Sequence, residues 1–245
     1  MISLRHVDCA ISGRTIVRDV TFEMESSCAI VGVNGVGKTT LLRTMAGLST
    51  PSAGTILLDE RDIHLMKPKD RAKLMSFVGQ EESLDSDFTV EDAVSLGRLP
   101  YIKPWQNSVD VTDALEQVGI AELKHRKCAE LSGGQRRLVH LARVIAQDTP
   151  VVLLDEPTNH LDVRHQLDVL AILQRMNRQV IATVHDLDLA LSHFETTVLL
   201  HEGRVLAAGK SEEVLTPENI ALAFGVTAIV VKPAGARTAH LVFES

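Results

Sequence analysis

Cys28-Ala29-Ile30-Val31-Gly32-Val33-Asn34-Gly35-Val36-Gly37-Lys38-Thr39-Thr40-Leu41-Leu42 decides how the rest of the chain is read. Cys28 to Val31 is a short unbroken apolar run, the pattern of a buried strand. Glycines 32, 35 and 37 end it, and an amphipathic segment through Met45 and Ala46 follows, closed by Gly47. The order is strand, glycine loop, helix. Gly32-x-x-x-x-Gly37-Lys38-Thr39 is a phosphate-loop pattern in the context that gives it meaning. Glycines let the backbone wrap so that several N–H groups point at phosphate oxygens, and the helix N-terminus adds positive potential. Gly32, Val33, Asn34, Gly35, Val36, Gly37, Lys38, Thr39 and Thr40 are therefore the candidate triphosphate cradle. Lys38 is expected to reach the β- and γ-phosphates and the Thr39 hydroxyl to ligate Mg²⁺.

A second constellation lies at Val151-Val152-Leu153-Leu154-Asp155-Glu156, an apolar run ending in two acids. Carboxylates at the end of a buried strand need cationic partners. A nucleotide-bound Mg²⁺ supplies one for Asp155, leaving Glu156, pointing the other way, to orient or deprotonate water. Val180 to Val184 and Thr197 to Leu200 are similar β-branched runs separated by helical patterns, as in a parallel sheet covered on both faces. Near the start, Val20, Phe22 and Met24 alternate as strand residues do. Between about Asp85 and Asp148 the pattern changes: Val111, Ala114, Leu115 and Val118, then Leu138, Leu141, Ala142 and Ile145, recur at helical spacing. The expectation is an α/β chain, one domain over residues 1–245, with a helical insert at roughly 85–148.

Leu131-Ser132-Gly133-Gly134-Gln135 falls between those two constellations, and with it the sequence resembles the ATP-binding cassette family over essentially its whole length. Ser132, Gly133, Gly134 and Gln135 match the signature of that family without substitution. Serine and two glycines opening a helix make an anion site, although the same residues also serve as a plain cap. The resemblance implies a P-loop NTPase core with a mainly parallel sheet and a small antiparallel N-terminal sheet. It implies Gln80, after Met75 to Val78, as the Q-loop glutamine touching Mg²⁺ or water, and Asn159-His160-Leu161-Asp162 as the D-loop. His185, in Thr183-Val184-His185-Asp186, matches the switch histidine that contacts the γ-phosphate. ATP and Mg²⁺ are the implied cofactors. Two copies are implied to close head to tail, each ATP held between the phosphate loop of one and the signature of the other.

At Asp8-Cys9-Ala10-Ile11-Ser12-Gly13 the chain offers Ile11 where that family usually stacks adenine on an aromatic, which implies relaxed selectivity for the base. Three outer stretches resemble the importer subfamily for iron-siderophores, haem and vitamin B12. They are Thr89 to Tyr101 (Thr-Val-x-x-x-Val-x-x-Gly-Arg-x-Pro), Leu161 to Gln166, and Thr216-Pro217-Glu218-Asn219 followed by Phe224-Gly225-Val226. The implied partners are membrane permease subunits, received around Gln80 to Tyr101, and an extracytoplasmic substrate-binding protein. A zinc or manganese importer and a soluble cassette protein are the alternatives.

Composition narrows the rest. The 245 residues carry a formal charge of −7 and 3% aromatics, which argues against nucleic acid as a partner. Cys9, Cys28 and Cys128 are too scattered for a disulfide framework and suit a reducing cytosol. The start lacks a signal-peptide pattern, and the apolar stretch Ile220 to Val231 is interrupted by Gly225 and Thr227 and too short to span a bilayer. The expected place is the cytoplasmic face of a membrane, through a partner. The 10 histidines show no zinc spacing: His160 and His165, like His185 and His193, stand apart with no His-Glu-x-x-His.

Overall fold

The structure, a computed structural model, describes residues 1–80, 84–102, 110–159, 161–232, 235 and 238–244. His160 of the expected D-loop, residues 81–83 of the expected permease surface and residues 103–109 of the expected helical insert lie outside the described residues. The chain divides into two units, Met1–Met66 with Gln179–Ser245, and Lys67–Arg178. The first unit begins with strands β1 (Ile2–Ile11), β2 (Arg14–Met24) and β3 (Cys28–Val31), helix α1 (Lys38–Met45), and strands β4 (Ala53–Leu58) and β5 (Arg61–Asp62). The second holds α2 (Pro68–Arg71), β6 (Met75–Val78), α3 (Val90–Ser95), α4 (Thr112–Gln117), α5 (Gly133–Gln147), β7 (Val151–Asp155) and α6 (Val163–Arg175). The chain then completes the first unit with β8 (Gln179–Thr183), α7 (Leu187–His193), β9 (Thr196–His201), β10 (Arg204–Lys210), α8 (Ser211–Val214), α9 (Pro217–Phe224), β11 (Thr227–Val231) and β12 (His240–Glu244).

In the first unit β1 lies between β2 and β4, antiparallel to both, with Leu4 opposite Phe22 and Ile56. Val20, Phe22 and Met24 are buried together, the one-sided alternation of a half-covered sheet. β3 is different: every residue is buried, and it runs parallel to β8 on one side and β9 on the other, with β10 antiparallel beyond β9. Its unbroken apolar run thus reflects burial on both faces. The combination of parallel strands with a small antiparallel N-terminal sheet agrees with the expected fold class. Burial pushes the Cys28 thiol up to about 12 and raises Cys9 and Cys128 as well, so all three behave as small apolar residues. Among the described residues no helix is long and apolar enough to cross a membrane.

In the second unit β6 and β7 run parallel, Met75 opposite Val151 and Val78 opposite Leu154. The described residues between 85 and 148 are helical or irregular. Thr89 caps α3 through a reciprocal pair with Asp92, whose carboxyl the Thr89 hydroxyl and N–H hold below the usual carboxylate range. α3 buries Val90, Ala93 and Val94. Past it, Gly97 comes so close to α5 that a Cβ there would run into the Arg143 carbonyl and lie 3.1 Å from the Gln147 nitrogen. Arg98 then donates from Nη1 to the Ala146 carbonyl at 3.0 Å, near the C-terminal end of α5 where carbonyls lack helical partners, with its guanidinium 4.7 Å from the centre of the Tyr101 ring. The Thr89 to Tyr101 stretch is accordingly a packing module: cap, buried face, close approach, carbonyl cover.

Gly97→Ala should lower stability by about 1–3 kcal/mol, because backbone and not a movable side chain opposes the added methyl. Equilibrium urea unfolding measures it, and a midpoint equal to the wild type would show that α5 and the Gly97 turn separate at no cost.

Candidate functional site

In the first unit the loop after β3 turns through left-handed glycines. Gly32 has φ +151° and a Cβ there would lie 2.5 Å from the Leu200 carbonyl oxygen; Gly37 has φ +111° and a Cβ there would collide with Val17. Neither position admits a side chain. Gly37 also sets the start of α1, so the first-turn N–H groups of that helix open onto the loop. Lys38 is only 5% exposed, and an ammonium that buried needs oxygen partners. It donates from Nζ to the Gly32 carbonyl at 2.8 Å and the Val33 carbonyl at 3.3 Å, and so sits within the curve of its own loop. Thr39 is exposed beside it.

Strand register brings His185 to the same level. Ile30 of β3 stands opposite Thr183 of β8, and the Val184 N–H donates to the Ile30 carbonyl, so His185, two residues beyond Thr183, is level with Gly32. His185 is exposed, and the next residue, Asp186, caps α7 by accepting from the Asp188 and Leu189 N–H groups. Both candidate groups of this unit lie past the C-terminal ends of parallel strands, where open α/β sheets bind ligands.

The second unit repeats the logic. Val78 of β6 pairs with Leu154 of β7, which puts Gln80 and Glu156 level, each two residues past its paired strand residue. Asp155, the last residue of β7, is 1% exposed and Glu156 9%, whereas Gln80 is exposed. Glu156 leaves the strand at φ +50°, a left-handed angle that costs a residue with a Cβ about 1 kcal/mol or more. Asn159 fixes its carboxylate, donating from Nδ2 to Oε2 at 2.8 Å. Sequence reasoning placed Asn159 in the D-loop but gave it no task. The signal was available, since an Asn three residues after the acid falls within reach across one turn.

Ser132 caps α5: its Oγ accepts from the Gln135 N–H at 3.3 Å, and Gln135 Oε1 accepts from the Ser132 N–H at 3.0 Å. Open space surrounds Gly133, while a Cβ on Gly134 would lie 3.1 Å from the His165 ring. Asp162 caps α6 in the same way, accepting from the His165 N–H at 2.9 Å and meeting His165 Nδ1 at 2.8 Å. These contacts hold the Asp162 carboxyl below its usual range, the backbone N–H contributing most. The second unit therefore has two helix N-termini capped by an exposed oxygen side chain, joined by His165 lying on Gly134.

Beside the phosphate loop is an open pocket of about 370 Å³ walled by Arg14, Thr15 and Ile16 of β2 together with Val33, Asn34 and Val36. Ile11 is 54% exposed and is not part of that wall. Among the described residues no Phe, Tyr or Trp lines it. The β2 residues beside the loop, Arg14, Thr15 and Ile16, carry no motif in the sequence, where the resemblance points to Ile11 at the end of β1.

Residues 17–159 match the ABC transporter family. The cobalamin import ATP-binding protein BtuD of Halobacterium salinarum is 39% identical over 227 residues, 89% of this chain and 57% of that protein. This chain thus spans little more than half the length of that relative. The ferric enterobactin transport ATP-binding protein FepC of Escherichia coli is 35% identical over 228 residues, 89% of this chain and 84% of that protein. Among solved structures, an inward-facing transporter assigned to the metal-chelate ABC type superposes with a TM-score of 0.85 at 26% identity, over 100% of this chain and 97% of that one. With the glycine loop, the acid-tipped strand and the serine-capped helix all in place, the chain belongs to the ABC transporter family, among its ATP-binding chains.

Proposed function

We propose that the chain is the ATP-hydrolysing subunit of an importer for metal chelates of the iron-siderophore, haem or cobalamin type, working through a separate membrane permease from the cytoplasmic face. The names of the relatives support the cargo class, and the signature helix with its serine cap supports the motor. The observation that carries the reading is the phosphate loop itself: two glycines where no Cβ fits, a helix N-terminus behind them, and a buried lysine ammonium within the curve. Only an anion with several oxygens answers that concentration of donors.

Thr39, Gln80 and Asp155 are the hard oxygen donors suited to Mg²⁺, which when bound neutralises phosphate charge and fixes the triphosphate. Lys38 and the loop N–H groups hold the β- and γ-phosphates. Glu156, aimed by Asn159, orients the attacking water and accepts its proton, while His185 contacts the γ-phosphate oxygens. Ser132, Gly133, Gly134 and Gln135 hold the triphosphate of a second copy, and Asp162 shapes the same face. Nucleotide is then the link between two copies, and hydrolysis breaks it. Permease subunits and an extracytoplasmic substrate-binding protein complete the system.

Lys38→Ala should abolish productive binding of Mg-ATP. Glu156→Gln should bind it and accumulate as a nucleotide-closed dimer, with turnover lower by at least about a hundredfold. Normal turnover in Glu156→Gln would remove that residue as the base. Ser132→Arg should stop hydrolysis without touching the phosphate loop of its own copy, and full activity would exclude the head-to-tail arrangement. Uptake of labelled siderophore, haem or cobalamin, lost in a deletion strain and restored by wild type but not by Lys38→Ala, tests the cargo class; unchanged uptake of all three refutes it.

Among the described residues no Phe, Tyr or Trp lines the pocket beside the loop, which supports a reading of weak base selectivity. GTP should compete with ATP to within about a hundredfold, since the triphosphate, common to both nucleotides, then carries most of the binding. Competition titrations that found ATP tighter by more than that would assign the base a different contact.

A further inference from the structure

The backbone that carries Glu156 is gripped from α5. Leaving β7 through a left-handed angle turns three successive carbonyls toward one point, and the guanidinium of Arg137 occupies it. Nη2 donates to the Glu156 carbonyl at 2.8 Å and to the Asp155 carbonyl at 3.3 Å, and Nε donates to the Pro157 carbonyl at 3.0 Å. A planar fork with donors on two edges can meet three carbonyls at once, whereas a lysine ammonium is a single point on a flexible stem. The carboxylate of Glu156 has its own anchor in Asn159. Backbone and side chain of this acid are thus fixed independently, and Arg137 fixes the part that sets where the side chain starts.

Arg137 stands five residues along α5 from the Ser132 cap, about 7.5 Å down the helix axis. The helix runs unbroken for 15 residues and buries Val139, Leu141, Ala142, Val144 and Ile145, so Ser132 and Arg137 belong to one continuous element. Whatever displaces its capped end displaces the guanidinium and the carbonyls held by it.

We infer that Arg137 is a positioning residue that ties the serine-capped end of α5 to the Glu156 turn, so that the acid of each copy is aligned when that copy's own Ser132 engages nucleotide held by its partner. The inference rests on the head-to-tail reading above. It gives each of the two nucleotides a say in hydrolysis of the other, through a single side chain within one unit.

The test compares steady-state ATP hydrolysis by the full chain with that of Arg137→Gln and Arg137→Lys. Both variants should lose at least tenfold in kcat while KM for ATP stays within twofold. Lysine should fail to rescue because charge without the fork cannot hold three carbonyls. Added to Glu156→Gln, either variant should still form the Mg-ATP dimer, measured by light scattering. A wild-type chain that neither hydrolyses ATP nor dimerises with it would sink the head-to-tail reading and this inference with it. Wild-type turnover with both variants within twofold in kcat would overturn the role of Arg137 alone. Loss of nucleotide-driven dimerisation, or of the folded state, in both variants would overturn it too, by making Arg137 a residue of general structure.

Discussion

A backbone that encloses an anion must bring several N–H dipoles together, and in an L-chain the Cβ atoms stand in the way. The rest of this molecule is arranged around that conflict. Gly32 and Gly37 resolve it by having no Cβ at positions where the Leu200 carbonyl and the Val17 side chain leave no room. The inner strands β3 and β9 supply the rigid edge against which the loop turns, and α1 supplies the helix end behind it. Lys38, folded onto the carbonyls of Gly32 and Val33, keeps a positive charge buried without leaving it unsatisfied. The shape of the loop is thus set from three sides, by a backbone carbonyl at Gly32, by packed β2 side chains at Gly37 and by the Lys38 ammonium on the loop carbonyls.

Parallel strands then distribute the remaining chemistry. In a parallel pair, residues beyond the C-terminal ends emerge at matching heights, so register alone aligns groups far apart in sequence. Gly32 and His185 are 153 positions apart and level across β3 and β8; Gln80 and Glu156 are level across β6 and β7. No loop has to fold precisely for these pairs to align. The loops only have to end each strand at the right residue, which Gly32 does with its φ of +151° and Glu156 with its left-handed turn.

Much of this is legible in the sequence. Cys28 to Val31 and Val151 to Leu154 read as strands buried on both faces because apolar β-branched residues without alternation have few other homes, and both are wholly buried. Thr89 with Asp92 and Ser132 with Gln135 read as helix starts because capping is a three-residue affair written in the local sequence. Arg137 was not legible, since its partners are backbone carbonyls 18 to 20 positions away, and carbonyls leave no mark in a sequence. Gly97 was visible as a glycine within a resemblance, but its reason, the Arg143 carbonyl, exists only once two helical segments pack. The pocket walled by Arg14, Thr15 and Ile16 stayed hidden for a similar cause: the bulges of β1 shift its pairing with β2, so distance along the hairpin does not tell which residues face the loop.

The two capped helices use different chemistry for the same task. Ser132 Oγ is already an acceptor for the Gln135 N–H, and the Asp162 carboxylate for the His165 N–H. A serine hydroxyl that accepts in this way keeps its own proton to donate, whereas an ionised carboxylate has none. Equivalent as caps, the two groups differ in what they offer: Ser132 with the N–H groups at Gly133 and Gly134 presents donors, and the Asp162 carboxylate presents acceptors. The capping bond at Ser132 uses only an acceptor lone pair of its hydroxyl. That bond also holds the hydroxyl in one place, so an anion bound there would cost it little side-chain freedom. His165 beside Gly134, with Nδ1 on Asp162, keeps the acceptor next to the donors, and the face they share is a donor cluster bounded on one side by negative charge.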